Sequence, residues 1–352
     1  MPLLSVLDQS PIKSGGTAAA AIRETLELAQ IADRLGYHRY WLAEHHATAG
    51  LAGSSPEILI GRVAGCTHGI RVGSGGVMLS HYSPLKVAEN FRMLETLFPG
   101  RIDLGIGRAP GSDRHTARIL AHEPGDLDVD RFPEKVGLLL GFLRNSFDPG
   151  HPLQGVRAMP DGPGTPEVWL LGSSDQSAIL AARHGTAFTF AHFINSDGFV
   201  DVVQSYRRSF RPSPLLDGPR AGLAVFVVCA DSEAEARRLA ASRDLFVARL
   251  YTGRSGPYPS VAEAESYPYS DHERAIIRGA RSRSIVGTPE QVRERLLELG
   301  RQAGADEWVI LTITHDFGAR VRSYELLAKV FGLTPRTPPP TETHPQSQPE
   351  RG

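Results

Sequence analysis

The sequence predicts an α/β chain folded as a (β/α)8 TIM barrel with insertions at the carboxyl-terminal face. Three observations carry that expectation. Strand-like and helix-like segments alternate along the whole chain. No short hairpin turn joins successive strands, so their pairing is parallel. Strands such as Glu167-Val168-Trp169-Leu170-Leu171 are almost continuously apolar, as burial on both faces requires. About eight such repeats favour a closed barrel over an open doubly wound sheet.

The elements follow in order. Residues 3–7 are a short apolar strand. A helix spans 18–35, with Ile22, Leu26, Ala29 and Ala32 spaced by three and four residues and Gly36 as its terminator. A strand at 38–42, a helix at 56–67 and a strand at 71–79 come next. Ser83-Pro84 supplies an N-cap with proline at the first helical position, opening a helix over 85–98. A fourth strand at 101–107 leads into a long polar stretch, 108–130, and a helix near 133–144. A fifth strand at 167–171 is followed by a helix at 174–184, and two more strands fall at 187–190 and 222–229. Ser232 and Glu235 form a capping-box pattern ahead of a helix bearing Ala236, Leu239, Ala240 and Val247. After a second polar stretch, 251–285, Thr288-Pro289 starts a helix with Val292, Leu296 and Leu299 as its stripe. A final strand at 308–314 and a helix at 321–331 complete the set. Both polar stretches are too long for plain connectors and are expected over the barrel mouth, the second as a lid. Residues 1–332 are thus one barrel domain. The polar, proline-rich residues 333–352 are expected to be a disordered tail.

Composition narrows the function. The 352 residues are 41% hydrophobic and 22% charged with a net charge of -1, and no basic stripe interleaved with aromatics points to nucleic acid. The longest apolar runs, such as 221–230, are strand-sized, so no membrane span is expected. Asp8 follows the first apolar run at once, which argues against a secretory signal. Two cysteines, Cys66 and Cys229, make no disulfide framework, and a reducing cytoplasm is the expected location.

Four motifs fall at the carboxyl ends of predicted strands, where barrels of this kind do their chemistry. In Trp41-Leu42-Ala43-Glu44-His45-His46 a carboxylate and two imidazoles arrive together. Adjacent histidines on an extended segment point to opposite faces, so the pair does not make a metal site without local distortion. The cluster suits proton transfer or the positioning of a polar ring; equally, one imidazole can serve a buried carbonyl. In Val72-Gly73-Ser74-Gly75-Gly76-Val77 the missing side chains either admit a flat ligand or mark a bulge. Arg108, after Gly105-Ile106-Gly107, is placed to hold a phosphate. Leu171-Gly172-Ser173-Ser174-Asp175-Gln176-Ser177 brings serines to a helix N-terminus, which is either an anion site or a simple cap. Neither a Walker-A loop nor a Gly-x-Gly-x-x-Gly fingerprint is present. Together the four motifs suit a planar, phosphorylated cofactor such as FMN.

With those residues in place, the sequence resembles the luciferase-like flavin monooxygenases, the superfamily of bacterial luciferase. The resemblance runs from Leu4 to about Phe331 and rests on Trp41 to His46, Val72 to Val77, Gly105 to Arg108, and Val286-Gly287-Thr288-Pro289-Glu290-Gln291. The opening Leu7-Asp8-Gln9-Ser10-Pro11 resembles a single-component oxidoreductase group within it. The resemblance implies an enzyme that binds reduced FMN from a separate flavin reductase, forms a C4a-peroxyflavin with O2, and oxygenates a small organic substrate. It assigns His45 as the catalytic histidine. Arg108, Ser173, Ser174 and Ser177 match the phosphate-binding residues, and Gly75-Gly76 a cis peptide against the flavin ring. It sets Glu44, His81 and His192 at the substrate pocket, and implies a homodimer. Gly107 stands where luciferases carry a cysteine and Ser173 where a glutamate is expected, so luminescence with a long-chain aldehyde is not. The alternatives are an F420-dependent oxidoreductase on the same fold, a non-catalytic flavin-binding protein, and a metal-dependent hydrolase.

Overall fold

The computed structural model describes residues 3–121, 131–162 and 164–337. In chain order the first half comprises β1 (Leu3–Asp8), α1 (Ala18–Leu35), β2 (Arg39–Leu42), α2 (Pro56–Ala64), β3 (Arg71–Met78), α3 (Pro84–Leu97), β4 (Ile102–Gly107), α4 (Arg114–Leu120) and α5 (Phe132–Leu143). The second comprises β5 (Glu167–Gly172), α6 (Asp175–His184), β6 (Ala187–Ala191), α7 (Phe199–Ser209), β7 (Ala221–Cys229), α8 (Glu233–Tyr251), α9 (Val261–Ser266), α10 (Asp271–Arg281), β8 (Ser284–Gly287), α11 (Pro289–Ala303), β9 (Glu307–Leu311) and α12 (Phe317–Phe331).

All strand pairs are parallel, and the sheet closes. β1 to β6 pair in sequence, β6 pairs with β7, β7 with β9, and β9 with β1. The eight barrel strands are the eight the sequence predicts. β8 is a ninth, lying along the carboxyl half of β7, where Phe226 to Cys229 pair with Ser284 to Gly287. Every residue of β7 is buried, because it serves three neighbours and faces helices outside the barrel.

Local chemistry sets the helix ends. The Thr17 side chain accepts from the Ala20 N–H to open α1, and Gly36 ends it in the left-handed conformation at φ 89°. α11 begins with a full capping box between Thr288 and Gln291.

The barrel's amino-terminal end is plugged by charge. Arg39, fully buried, donates Nη1 to Asp103 (2.8 Å) and Glu167 (3.1 Å), and Nε to Glu307 (2.7 Å). Its guanidinium lies 4.8 Å from the Trp169 ring centre. Trp41 and Trp169 sit edge to face above it at 5.3 Å. The opposite end is left open for the site.

Two expectations need correction. The stretch 251–285 is not a plain polar cover: it holds α9, α10 and the start of β8, and none of its residues borders the cavity described below. Tyr258 is buried in the core, its N–H donates to the Ile12 carbonyl (2.7 Å), and its hydroxyl donates to the Ile313 carbonyl (3.0 Å). The tail also starts later than residue 333. The Arg336 N–H donates to the Arg34 carbonyl (3.0 Å), and its guanidinium to the Tyr37 carbonyl (2.7 Å). The rest of the expected tail, 338–352, and the end of the 108–130 stretch lie outside the described residues. Among the described residues no helix is long and apolar enough to cross a membrane.

Candidate functional site

A cavity of about 340 Å³ opens at the carboxyl ends of the strands, a volume within the range of small-molecule and cofactor sites. Its walls divide by chemistry. Leu7, Trp41, Leu171, Phe193 and Val309 make an apolar side. Arg108, Ser173, Ser174 and Ser177 gather at one end.

That polar end is built by β4, β5 and α6. Arg108 directly follows β4 and donates Nη1 to Gln176 Oε1. Ser174 is the N-cap of α6 yet makes no side-chain cap hydrogen bond. Among the described residues the hydroxyls of Ser173, Ser174 and Ser177 have no hydrogen-bond partner. A side chain at Gly172 would run into Ser177 Oγ, so the glycine makes room for that hydroxyl. The result is a cluster of free donors, one cation and a helix N-terminus, an arrangement that holds an anion.

The floor is the glycine row of β3. The register between β3 and β4 shifts between Ser74 and Val77, a bulge, and Gly75 and Gly76 also line the cavity. The Gly75-Gly76 peptide is cis. A Cβ on Gly75 would lie 2.6 Å from Leu7 Cδ1, and one on Gly76 2.7 Å from the Gly105 carbonyl oxygen. All six residues expected to bind a cofactor therefore border one cavity.

The other four expected site residues do not line it. His45 lies in the loop after β2, its N–H donating to the Gly53 carbonyl (2.8 Å) and its Nδ1 buried without a partner. Burial, then the charge of His46, pulls its pKa down to about 4. Glu44 is hydrogen-bonded within its own chain. Its Oε2 accepts from the Met78 N–H (2.9 Å), and its Oε1 from the Tyr82 hydroxyl (2.6 Å) and lies 2.7 Å from His46 Nε2. His81 is also held within the chain. It is 3% exposed, with Nε2 at 2.7 Å from the Pro110 carbonyl oxygen, and so holds the loop that follows β4. His192 sits between Ala191 and Phe193, which line the cavity, but its own ring packs edge-on to Phe199 of α7 at 5.1 Å. Burial lowers its pKa to about 4 as well.

Among the cavity residues that the four motifs did not include are Met78, Thr189, Phe193 and Ile194. The alternation of β6 offered a signal for Thr189, since Ala187 and Ala191 on the same face are small.

Comparison with known proteins agrees with this geometry. Residues 3–307 match the family described as luciferase-like monooxygenase. The chain belongs to that family. It is 41% identical to the N-acetyl-S-alkylcysteine monooxygenase of Bacillus subtilis, over 92% of this chain and 97% of the relative. The crystal structure of apo-MsnO8 superposes with a TM-score of 0.85 at 42% identity, covering 95% of this chain and 99% of that one. The oxygenating constituent of 3,6-diketocamphane monooxygenase from Pseudomonas putida, in complex with FMN, shares the fold. Its TM-score is 0.66 at 20% identity, over 94% of this chain and 97% of that one. Membership of the family makes the chain a monooxygenase-type enzyme with a TIM-barrel fold.

Proposed function

We propose that this luciferase-like monooxygenase uses reduced FMN and O2 to oxygenate a small organic substrate. The observation that carries the reading is the cluster of Arg108 and three unpartnered hydroxyls at one end of an otherwise apolar cavity. A phosphate there meets a guanidinium, serine donors and the N-terminus of α6. The cavity's apolar walls and glycine floor suit a flat ring, and the neighbour solved with FMN supports the choice of flavin.

Bound reduced FMN would supply the two electrons that activate O2, one oxygen atom passing to the substrate and the other leaving as water. The protein's own work is different. Arg108 and the serines fix one end of the cofactor. Leu7, Trp41, Leu171 and Val309 keep water from the ring's surroundings. His45 is neutral at pH 7 because burial disfavours its charged form. The reading keeps His45 as the residue that handles protons in the reaction, and its Nδ1 is left without a partner among the described residues. Glu44, through Met78 and Tyr82, holds the end of β3 and the turn after it. The reading includes a separate flavin reductase as electron donor, a homodimer, and a cytoplasmic location. The relative named for N-acetyl-S-alkylcysteine makes small thioethers the first substrates to test.

The test is anaerobic titration with reduced FMN, followed by 18O2 and a thioether panel with a flavin reductase present. Tight binding with 18O in the product supports the reading. No affinity for FMN but affinity for F420 replaces it with a deazaflavin oxidoreductase. Binding with no product, unchanged by His45→Ala, replaces it with a flavin-binding protein.

A further inference from the structure

A second cavity, of about 350 Å³, adjoins the first and shares two residues with it, Arg108 and Ser177. One of its walls is a stripe along α6 made by Gln176, Ile179, Leu180 and Arg183, whose spacing sets them on one helix face. Another is Phe132-Pro133, the start of α5. No carboxylate lines it. Arg183 has no carboxylate partner among the described residues. Arginines on other surface helices do have one a turn away: Arg237 pairs with Glu233 on α8, and Arg301 with Glu298 on α11. Ile179, in the middle of the stripe, is 59% exposed. The second cavity thus offers an apolar step with an unpaired cation at its far end.

Arg108 stands at the junction. It borders the phosphate end of the first cavity, and its guanidinium donates to Gln176, the first residue of the stripe. A group leaving that phosphate outward therefore enters the second cavity at once. From Gln176 to Arg183 the helix rises seven residues, about 10 Å, which is the reach of a nucleoside. A second phosphate beside the first would meet the same Arg108, whose five donors can serve both. Beyond it, a flat base would lie on Ile179 and Leu180 with the Arg183 guanidinium against its face. A chain of carboxylates fits less well, because two cations would stand among four apolar side chains.

We infer that the second cavity holds the adenylate half of the flavin in its dinucleotide form, so that the site takes FAD as well as FMN, with the ring placed alike in both. The inference rests on the flavin reading above. Anaerobic titrations with reduced FAD and reduced FMN test it, followed by tryptophan fluorescence, since Trp41 lines the first cavity. Reduced FAD should bind the wild type about tenfold tighter than reduced FMN. Arg183→Ala and Ile179→Asp should each remove most of that advantage and leave FMN affinity within about twofold of wild type, which also shows that both variants fold. FAD binding no tighter than FMN would overturn the inference and leave the flavin reading standing. An advantage for FAD that survives in both variants overturns it as well, because the adenylate then lies elsewhere. A wild type that binds neither flavin overturns the flavin reading and this inference together.

Discussion

Replacing Arg39 with methionine removes the one cation shared by three carboxylates inside the barrel, and the loss falls unevenly on them. Asp103 keeps Arg71, whose Nε lies at 2.8 Å, and the Trp41 indole N–H at 3.0 Å. Glu167 keeps Arg220 at 2.7 Å. Glu307 is fully buried and, among the described residues, keeps only the Ser5 hydroxyl. The cost is therefore that of one stranded buried carboxylate, about 3–5 kcal/mol. Burial already pushes the Glu307 carboxyl up from its ordinary range, against the pull of Arg39. Without that pull its folded pKa rises further above the unfolded value. A carboxyl shifted that way destabilises the fold above its folded pKa and is relieved by protonation as the pH falls. The deficit of Arg39→Met should thus be largest at pH 8 and shrink by pH 5.5, by about 1.4 kcal/mol for each pKa unit regained. Urea unfolding followed by tryptophan fluorescence measures it at both values. Adding Glu307→Gln should recover about half of the loss at pH 8. A loss under about 1 kcal/mol, an equal loss at both pH values, or a double variant worse than the single would refute the reasoning.

Three further outcomes are expected. Arg108→Ala should weaken reduced-FMN binding about 10- to 100-fold while leaving riboflavin, which lacks the phosphate, unchanged; equal losses for both would remove Arg108 from the phosphate site. His45, held down to about 4, makes the unfolded chain bind more protons between that value and the ordinary 6.5. The stability it permits is present above pH 6.5 and lost as the pH falls toward 4, so His45→Gln should flatten that limb of the Tm profile; an imidazole titrating near 6.5 by NMR contradicts this. Tyr258→Ala should cost about 3–5 kcal/mol in urea unfolding, because it empties a core position. A shift within about 0.5 kcal/mol would return 251–285 to the role of a detachable cover.

The eight barrel strands were legible because strands buried on both faces read as unbroken apolar runs, and β7 is the extreme case. β8 was not, because its four residues lie between Arg283 and Thr288 in a polar context. α7 buries only Val203 and Tyr206, and α10 only Glu273, Ile277 and Ala280, too few to mark a stripe amid charged residues. The same division holds in the site. The phosphate end was readable because a strand end, a glycine and serines are neighbours in sequence. The contacts of Glu44, His81 and His192 were not readable, because Met78, Pro110 and Phe199 meet them only on folding.

The Asp33 carboxylate accepts from the N–H groups of His68 (2.6 Å), Gly69 (3.2 Å) and Ile70 (2.9 Å), just ahead of β3. Arg336, past the last helix, reaches the same residue, while Gly36 leaves room for Thr334 beside it. The first repeat, the approach to the third strand and the far end of the chain are thus fastened at one outer corner. A ring of eight strands is held shut by its last lateral pairing, and this corner adds a clasp outside the wall. A protein fused after residue 337 leaves the clasp in place, whereas a chain cut at 332 must keep its barrel closed by β9 alone.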